Sequence, residues 1–261
     1  MGPLRAPQTI PIRAVVLRFL FMLFVLSLVC ARAARADGWG SGAFVTYDQA
    51  EWGDPSLAAG ILLADGYGSV YSSTGDLFVI GTASPGFFAE FTSGLDLGDF
   101  LPASGTVGPL NADLENPTTT SAGIFAGEVA GLKLNIDFSA AGLLQGTSGL
   151  HFGDLVLTGM TGADSGLNGL TVSQFLSLDD RALGGAVTGF TITDLDIELA
   201  GLNNAFDDGT QASSFAQDHL VAPGSSAAVP EPSTVMLLAI GIFAVAFVAR
   251  KRVLAKNIIR I

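Results

Sequence analysis

The groups with which this chain could do chemistry are 24 carboxylates, two histidines and one cysteine. Two acidic clusters stand out, Asp179-Asp180 and Asp207-Asp208-Gly209. Carboxylate oxygens are hard ligands that suit calcium, so these clusters are the cation candidates. Neither follows the D-x-[DN]-x-[DN]-G spacing of a calcium loop. No cofactor is expected on this reading, and calcium is the one kept in view. Serine chemistry is no better supported. A hydrolase elbow reads Gly-x-Ser-x-Gly, and Gly146-Thr147-Ser148-Gly149-Leu150 breaks it at the last position. His151 and His219 are the only histidines, so a Ser-His-Asp relay would have to recruit one of them. Both read as structural, His151 beside a strand and His219 near a linker. No phosphate-cradling G-x-x-x-x-G-K-[ST] occurs, and no G-x-G-x-x-G joins a strand to a helix. No catalytic residue is assigned. The enzymatic alternative is a secreted hydrolase, a glycosidase using two carboxylates roughly 5–9.5 Å apart.

The charges divide the chain into three parts. Arg5, Arg13, Arg18, Arg32 and Arg35 precede Asp37, and Arg250, Lys251, Arg252, Lys256 and Arg260 lie at the other end. Between them, residues 37–229 hold 23 carboxylates against two cations, Lys133 and Arg181, a formal charge of −21. Such a body repels phosphate backbones, which argues against nucleic acid as a partner. Cys30 lies in an N-terminal apolar run, which leaves the body without a thiol or a disulfide. Residues 1–18 carry three arginines and no acid, Phe19 to Val29 is uninterrupted apolar sequence, and Ala34 and Ala36 precede Asp37 at the small-residue positions of a cleavage site. That order is the order of a secretory signal peptide, expected over 1–36 and cut by signal peptidase.

At the other end stands Val229-Pro230-Glu231-Pro232-Ser233, then an apolar run from Thr234 to Ala249, then the basic cluster Arg250-Lys251-Arg252. Two prolines flanking Glu231 hold the backbone extended and outside any helix. Residues 234–249 would form a helix of roughly 24 Å at 1.5 Å per residue, short of a hydrocarbon core of about 30 Å. It would be a marginal membrane anchor, with Arg250, Lys251 and Arg252 stopping on the cytoplasmic side and 253–261 as a cytoplasmic tail. This arrangement resembles the PEP-CTERM sorting signal of bacteria with a Gram-negative type of envelope. The resemblance covers about the last 30 residues and makes Pro230, Glu231 and Pro232 the sorting motif. It implies export across the inner membrane and recognition by an exosortase-like transpeptidase. It also implies a membrane-anchored or surface destination, with extracellular polysaccharide as a possible neighbour. The expected protein is an exported surface or matrix protein with a non-enzymatic body.

The elements that must position any site lie in the body, 37–222, joined to the tail by a flexible linker over 223–229. Phe44 to Tyr47 reads as a short strand. Asp54-Pro55 reads as a helix start, with Leu57, Ile61 and Ala64 as its buried stripe and Gly66 as its end. Gly75 to Gly81 and Phe87 to Phe91 read as a hairpin, and Gly153 to Gly159 as a further strand of the same sheet. Ser93 would cap a short helix ending before Pro102. Residues 121–141 fit a helix stripe (Phe125, Val129, Leu132, Ile136) and a strand alternation (Leu132, Leu134, Ile136, Phe138); the longer pattern favours a helix capped by Ser121. Thr171 to Leu183, and a helix capped by Thr193 with Leu195, Leu199, Leu202 and Phe206 on one face, form an expected antiparallel pair. A last turn is expected over Ser214 to Leu220. The fold class is therefore α+β, several short helices with a small antiparallel sheet, plus hydrophobic helices at both ends. An all-β sandwich is the alternative.

Overall fold

The segment that fits both a helix and a strand turns out to be the centre of the body. The computed structural model describes residues 38–75, 77–83 and 85–225. Within them Ile124–Ala140 is a helix (here α4, the fourth in chain order). Phe125, Val129, Leu132, Leu134, Ile136 and Phe138 are all buried in it. A helix covered on nearly every side shows no single apolar stripe, which is why a strand alternation is also visible in its sequence. Its cap is not Ser121, whose hydroxyl donates to the Pro109 carbonyl at 3.0 Å. The N-cap is Gly123 at φ 58° and ψ −138°. A Cβ there would lie 2.3 Å from the Thr106 carbonyl oxygen, so only glycine fits.

Around α4 the order is α1 Gln49–Gly53, α2 Ala58–Tyr71, β1 Phe78–Gly81, β2 Phe88–Phe91, α3 Gly94–Phe100 and β3 Leu114–Glu115. After α4 come β4 Val156–Leu157, α5 Val172–Leu183, α6 Ile192–Asn203, α7 Ser214–His219 and β5 Leu220–Val221. α5 and α6 both lie chiefly against α4 and touch each other little, so they are flanks of a central helix and not a self-contained pair. α5 opens on a capping box: the Gln174 N–H donates to Thr171 Oγ1 at 3.1 Å, and the Thr171 N–H to Gln174 Oε1 at 2.9 Å. α6 is capped by Thr191, two residues before the expected Thr193, through the Asp194 N–H at 3.1 Å. Leu195, Leu199 and Leu202 face the core as expected, and Phe206 joins them from beyond the helix end. Ser93 caps α3 through the Asp96 N–H at 3.1 Å.

The sheet is smaller and more divided than the sequence suggests. β1 and β2 form the expected antiparallel hairpin, Phe78 opposite Phe91, but β3 joins β2 in parallel. β4 belongs to a separate two-stranded ladder with β5. Phe44 to Tyr47 is extended and makes one bridge, Thr46 to Asp207. These short pieces among seven α-helices overturn the all-β alternative among the described residues. α2 is also corrected. It runs through Gly66 to Tyr71, its buried face is Leu63, Tyr67 and Tyr71, and Leu57 and Ile61 are exposed. Asp54 does not cap it, because its carboxylate accepts from the Ser56 N–H and hydroxyl at 2.8 and 2.6 Å in a local turn. No helix among the described residues is long and apolar enough to cross a membrane. The expected signal peptide over 1–36, the tail helix over 234–249 and residues 253–261 lie outside the described residues.

Candidate functional site

Of the two acidic clusters, one is assembled into a group of carboxylates and one is taken apart. Thr46 does the assembling. Its N–H donates to the Phe206 carbonyl at 3.1 Å and its own carbonyl accepts from the Asp208 N–H at 3.2 Å. That bridge lays the turn at 207–209 beside α1. The first turn of α1 is fixed by a capping box, with the Glu51 N–H on Asp48 Oδ1 at 2.8 Å and the Asp48 N–H on Glu51 Oε2 at 3.0 Å. Glu51 thereby meets Asp207 and Asp208, one oxygen from each lying within 4.8 Å of the others. Burial, first, pushes the Glu51 carboxyl up to about 7; the Asp48 N–H works against this, and the charges of Asp207, Asp48 and Asp208 add to it. The Tyr47 phenol is raised by burial and then by Asp208, Glu51 and Asp207. Three carboxylate oxygens can hold a hard cation, but calcium takes about six to eight ligands, so most of its shell would have to be water.

Asp179 and Asp180 do not form a cation site. Adjacent on α5, they point into different surroundings. Asp180 Oδ1 accepts from the Gly81 N–H at 2.9 Å and ties α5 to the hairpin. Its carboxyl is pushed up to about 6, by burial first, against the lowering effects of the Gly81 N–H and Lys133. Asp179 is fully buried, and neither of its oxygens has a hydrogen-bond partner. Burial, then the charge of Asp180, raises it well above the usual carboxylate range.

The histidines take structural places. His151 Nδ1 lies 3.2 Å from the Ser139 carbonyl, and His219 Nδ1 lies 3.1 Å from the Thr158 carbonyl. Ser148 accepts a hydrogen bond from the Leu150 N–H at 3.3 Å. A buried polar network has no signature in the sequence. Glu128 accepts from Gln49 Nε2 and Asn203 Nδ2, each at 2.8 Å. Asn135 bonds Tyr47 N and O at 2.9 and 2.8 Å and Asn203 Oδ1 at 3.1 Å. These bonds lock α1, α4 and α6 together. Polar residues scattered over three helices carry no local motif, so nothing in the sequence announces the network.

Among the described residues, three hollows are lined as follows. One of about 520 Å³ is lined by Tyr71, Leu77, Val79, Lys133 and Asp137, where Lys133 Nζ lies 3.1 Å from Asp137 and 5.6 Å from the Phe78 ring centre. Another of about 510 Å³ lies between α2 and α3, with Tyr67, Ser93, Leu95 and Asp99 on its walls. The third, about 130 Å³, holds His151 and Gln145. None of the three brings two carboxylates together.

The addressing chemistry lies at the C-terminus. Residues 228–252 match the family model of the PEP-CTERM protein-sorting motif. The match covers the expected sorting residues Pro230, Glu231 and Pro232 and the basic cluster Arg250, Lys251 and Arg252. The tail is therefore a PEP-CTERM sorting segment, the mark of an exported protein handled by exosortase. These residues, like Ala34 and Ala36 of the expected cleavage site, lie outside the described part of the structure. No curated protein and no solved structure matches the chain.

Proposed function

We propose that the chain is an exported surface or extracellular-matrix protein whose acidic body is delivered by its tail and catalyses nothing itself. The match of residues 228–252 to the sorting motif carries the export and sorting part of this reading. The body's part in this reading is that of cargo: each histidine bonds a backbone carbonyl through Nδ1.

The tail is a transient signal on this reading, not a lasting anchor, because its apolar run is short of a membrane span. Changing Pro230, Glu231 and Pro232 together to alanine is expected to leave full-length protein in the membrane fraction. Wild-type protein from the same fractionated cells should have lost its tail by intact mass. The same size and location for both proteins would overturn the sorting role.

A further inference from the structure

Asp179 is a carboxyl group in the wrong medium. It sits on α5 between Leu176 and Ala182, both buried, and is itself 0% exposed. Both oxygens lack a hydrogen-bond partner. An ionised carboxylate in such a place costs far more than a neutral acid, because nothing replaces its lost hydration. The charged groups on every neighbouring element fail to offset this. On α4, Lys133 and Asp137 act on Asp180, and Glu128 is engaged by Gln49 and Asn203. On α6, Asp196 acts on Glu128, while Asp194 acts on Glu198. Asp154, before β4, and Arg181, on α5 itself, are exposed, and β1 has no titratable residue. The one charge acting on Asp179 is Asp180, which repels it.

We propose that Asp179 is a proton-held latch: α5 stays seated on the core only while this carboxyl keeps its proton, so the body is a fold that tightens in acid and loosens in alkali. The latch acts on three ties between α5 and its surroundings. These are the Gly81 N–H on Asp180, the Leu110 N–H on the Leu183 carbonyl at 2.8 Å, and the Phe87 N–H on the Gly184 carbonyl at 3.1 Å. When α5 lifts, Asp179 reaches water and titrates near its ordinary value of about 3.9. Opening therefore releases one proton across the whole range between the ordinary and the seated value. Within that range each unit of rising pH favours the open state about tenfold.

The test compares full-length wild type with Asp179→Asn and Asp179→Leu in mild detergent, melted at pH 5, 7 and 9 and followed by near-ultraviolet circular dichroism. Wild-type Tm should fall with pH. Each variant's Tm, measured relative to wild type, should climb with pH and stand about 5–10 °C above it by pH 9. Other buried acids also give wild type some pH dependence, but only the growing difference reports position 179. A difference that is the same at every pH overturns the latch, as does a wild-type Tm that holds from pH 5 to 9. Failure of both variants to fold where wild type folds overturns it too, because the latch requires only that residue 179 be uncharged.

Discussion

Glu51 occupies a place where two demands oppose each other. Its backbone and carboxylate complete the capping box that starts α1, which favours the charged form. Its burial beside Asp207 and Asp208 favours the neutral form and holds its carboxyl at about 7 instead of 4.5. A raised carboxyl value means the folded protein holds the proton more tightly than the unfolded chain. The resulting stability is complete below the unfolded value, about 4.5, and is lost as pH rises through about 7. Asp180 adds a loss of the same sign between 3.8 and about 6. Glu51→Gln keeps a capping-box side chain and removes the charge. It is expected to leave Tm unchanged at pH 4 and to raise it at pH 8; an equal shift at both would remove the acidic cluster as the cause. At this scale the sequence was half legible. Asp207-Asp208 is visible as a pair, but Glu51 joins it only through the bridge made by Thr46. Asp179-Asp180 looks like the same kind of pair, yet successive helical residues point about 100° apart, and here that sends one to a backbone N–H and the other into the core.

α2 shows what apolar spacing reveals and what it hides. Leu57, Ile61 and Ala64 fit a helical stripe as well as Leu63, Tyr67 and Tyr71 do, since both sets recur at helical spacing. The aromatic set is the buried one, where Tyr67 donates to the Phe91 carbonyl at 2.6 Å and Tyr71 to Asp137 at 3.0 Å. Spacing cannot tell which of two apolar faces meets the core; the larger aromatic area decides it. Leu63→Ala is therefore expected to cost about 2–5 kcal/mol, and Ile61→Ala no more than about 0.5 kcal/mol. Urea unfolding with unchanged slope would measure both, and equal costs would refute the observed face. The helices with a hydroxyl cap, α5 and α6, are readable at their starts to within two residues, but α6 ends at Asn203, three residues before the expected Phe206. α4 is ambiguous in sequence because it is buried on nearly every side, and β4 does not join the hairpin its pattern suggests because its partner β5 follows three intervening helices. Pairing across that distance leaves no local trace in the strand itself.

At the scale of the whole body, charge is the property the sequence states most plainly and the fold does least to neutralise. Residues 37–229 carry 23 carboxylates against Lys133 and Arg181. Among the described residues one ion pair is formed, Lys133 with Asp137, and Arg181 is exposed. Added salt has two opposing effects on a folded protein. It weakens favourable ion pairs, and it screens repulsion among like charges. With one pair to lose and so many like charges to screen, the second effect should dominate. Raising sodium chloride from about 10 mM to 0.5 M shortens the screening length from about 30 Å to only a few ångströms. Tm is expected to rise by several degrees, with most of the gain below about 0.2 M, where screening changes fastest. Sodium chloride suits the measurement better than sulfate, which strengthens apolar burial by itself and would give a rise from a different cause. Potassium chloride should reproduce the curve, because screening depends on ionic strength and not on the cation's identity. A Tm that falls with salt would mean favourable pairs outweigh the repulsion. A rise with sodium but not potassium would mean a specific cation, not screening, is at work.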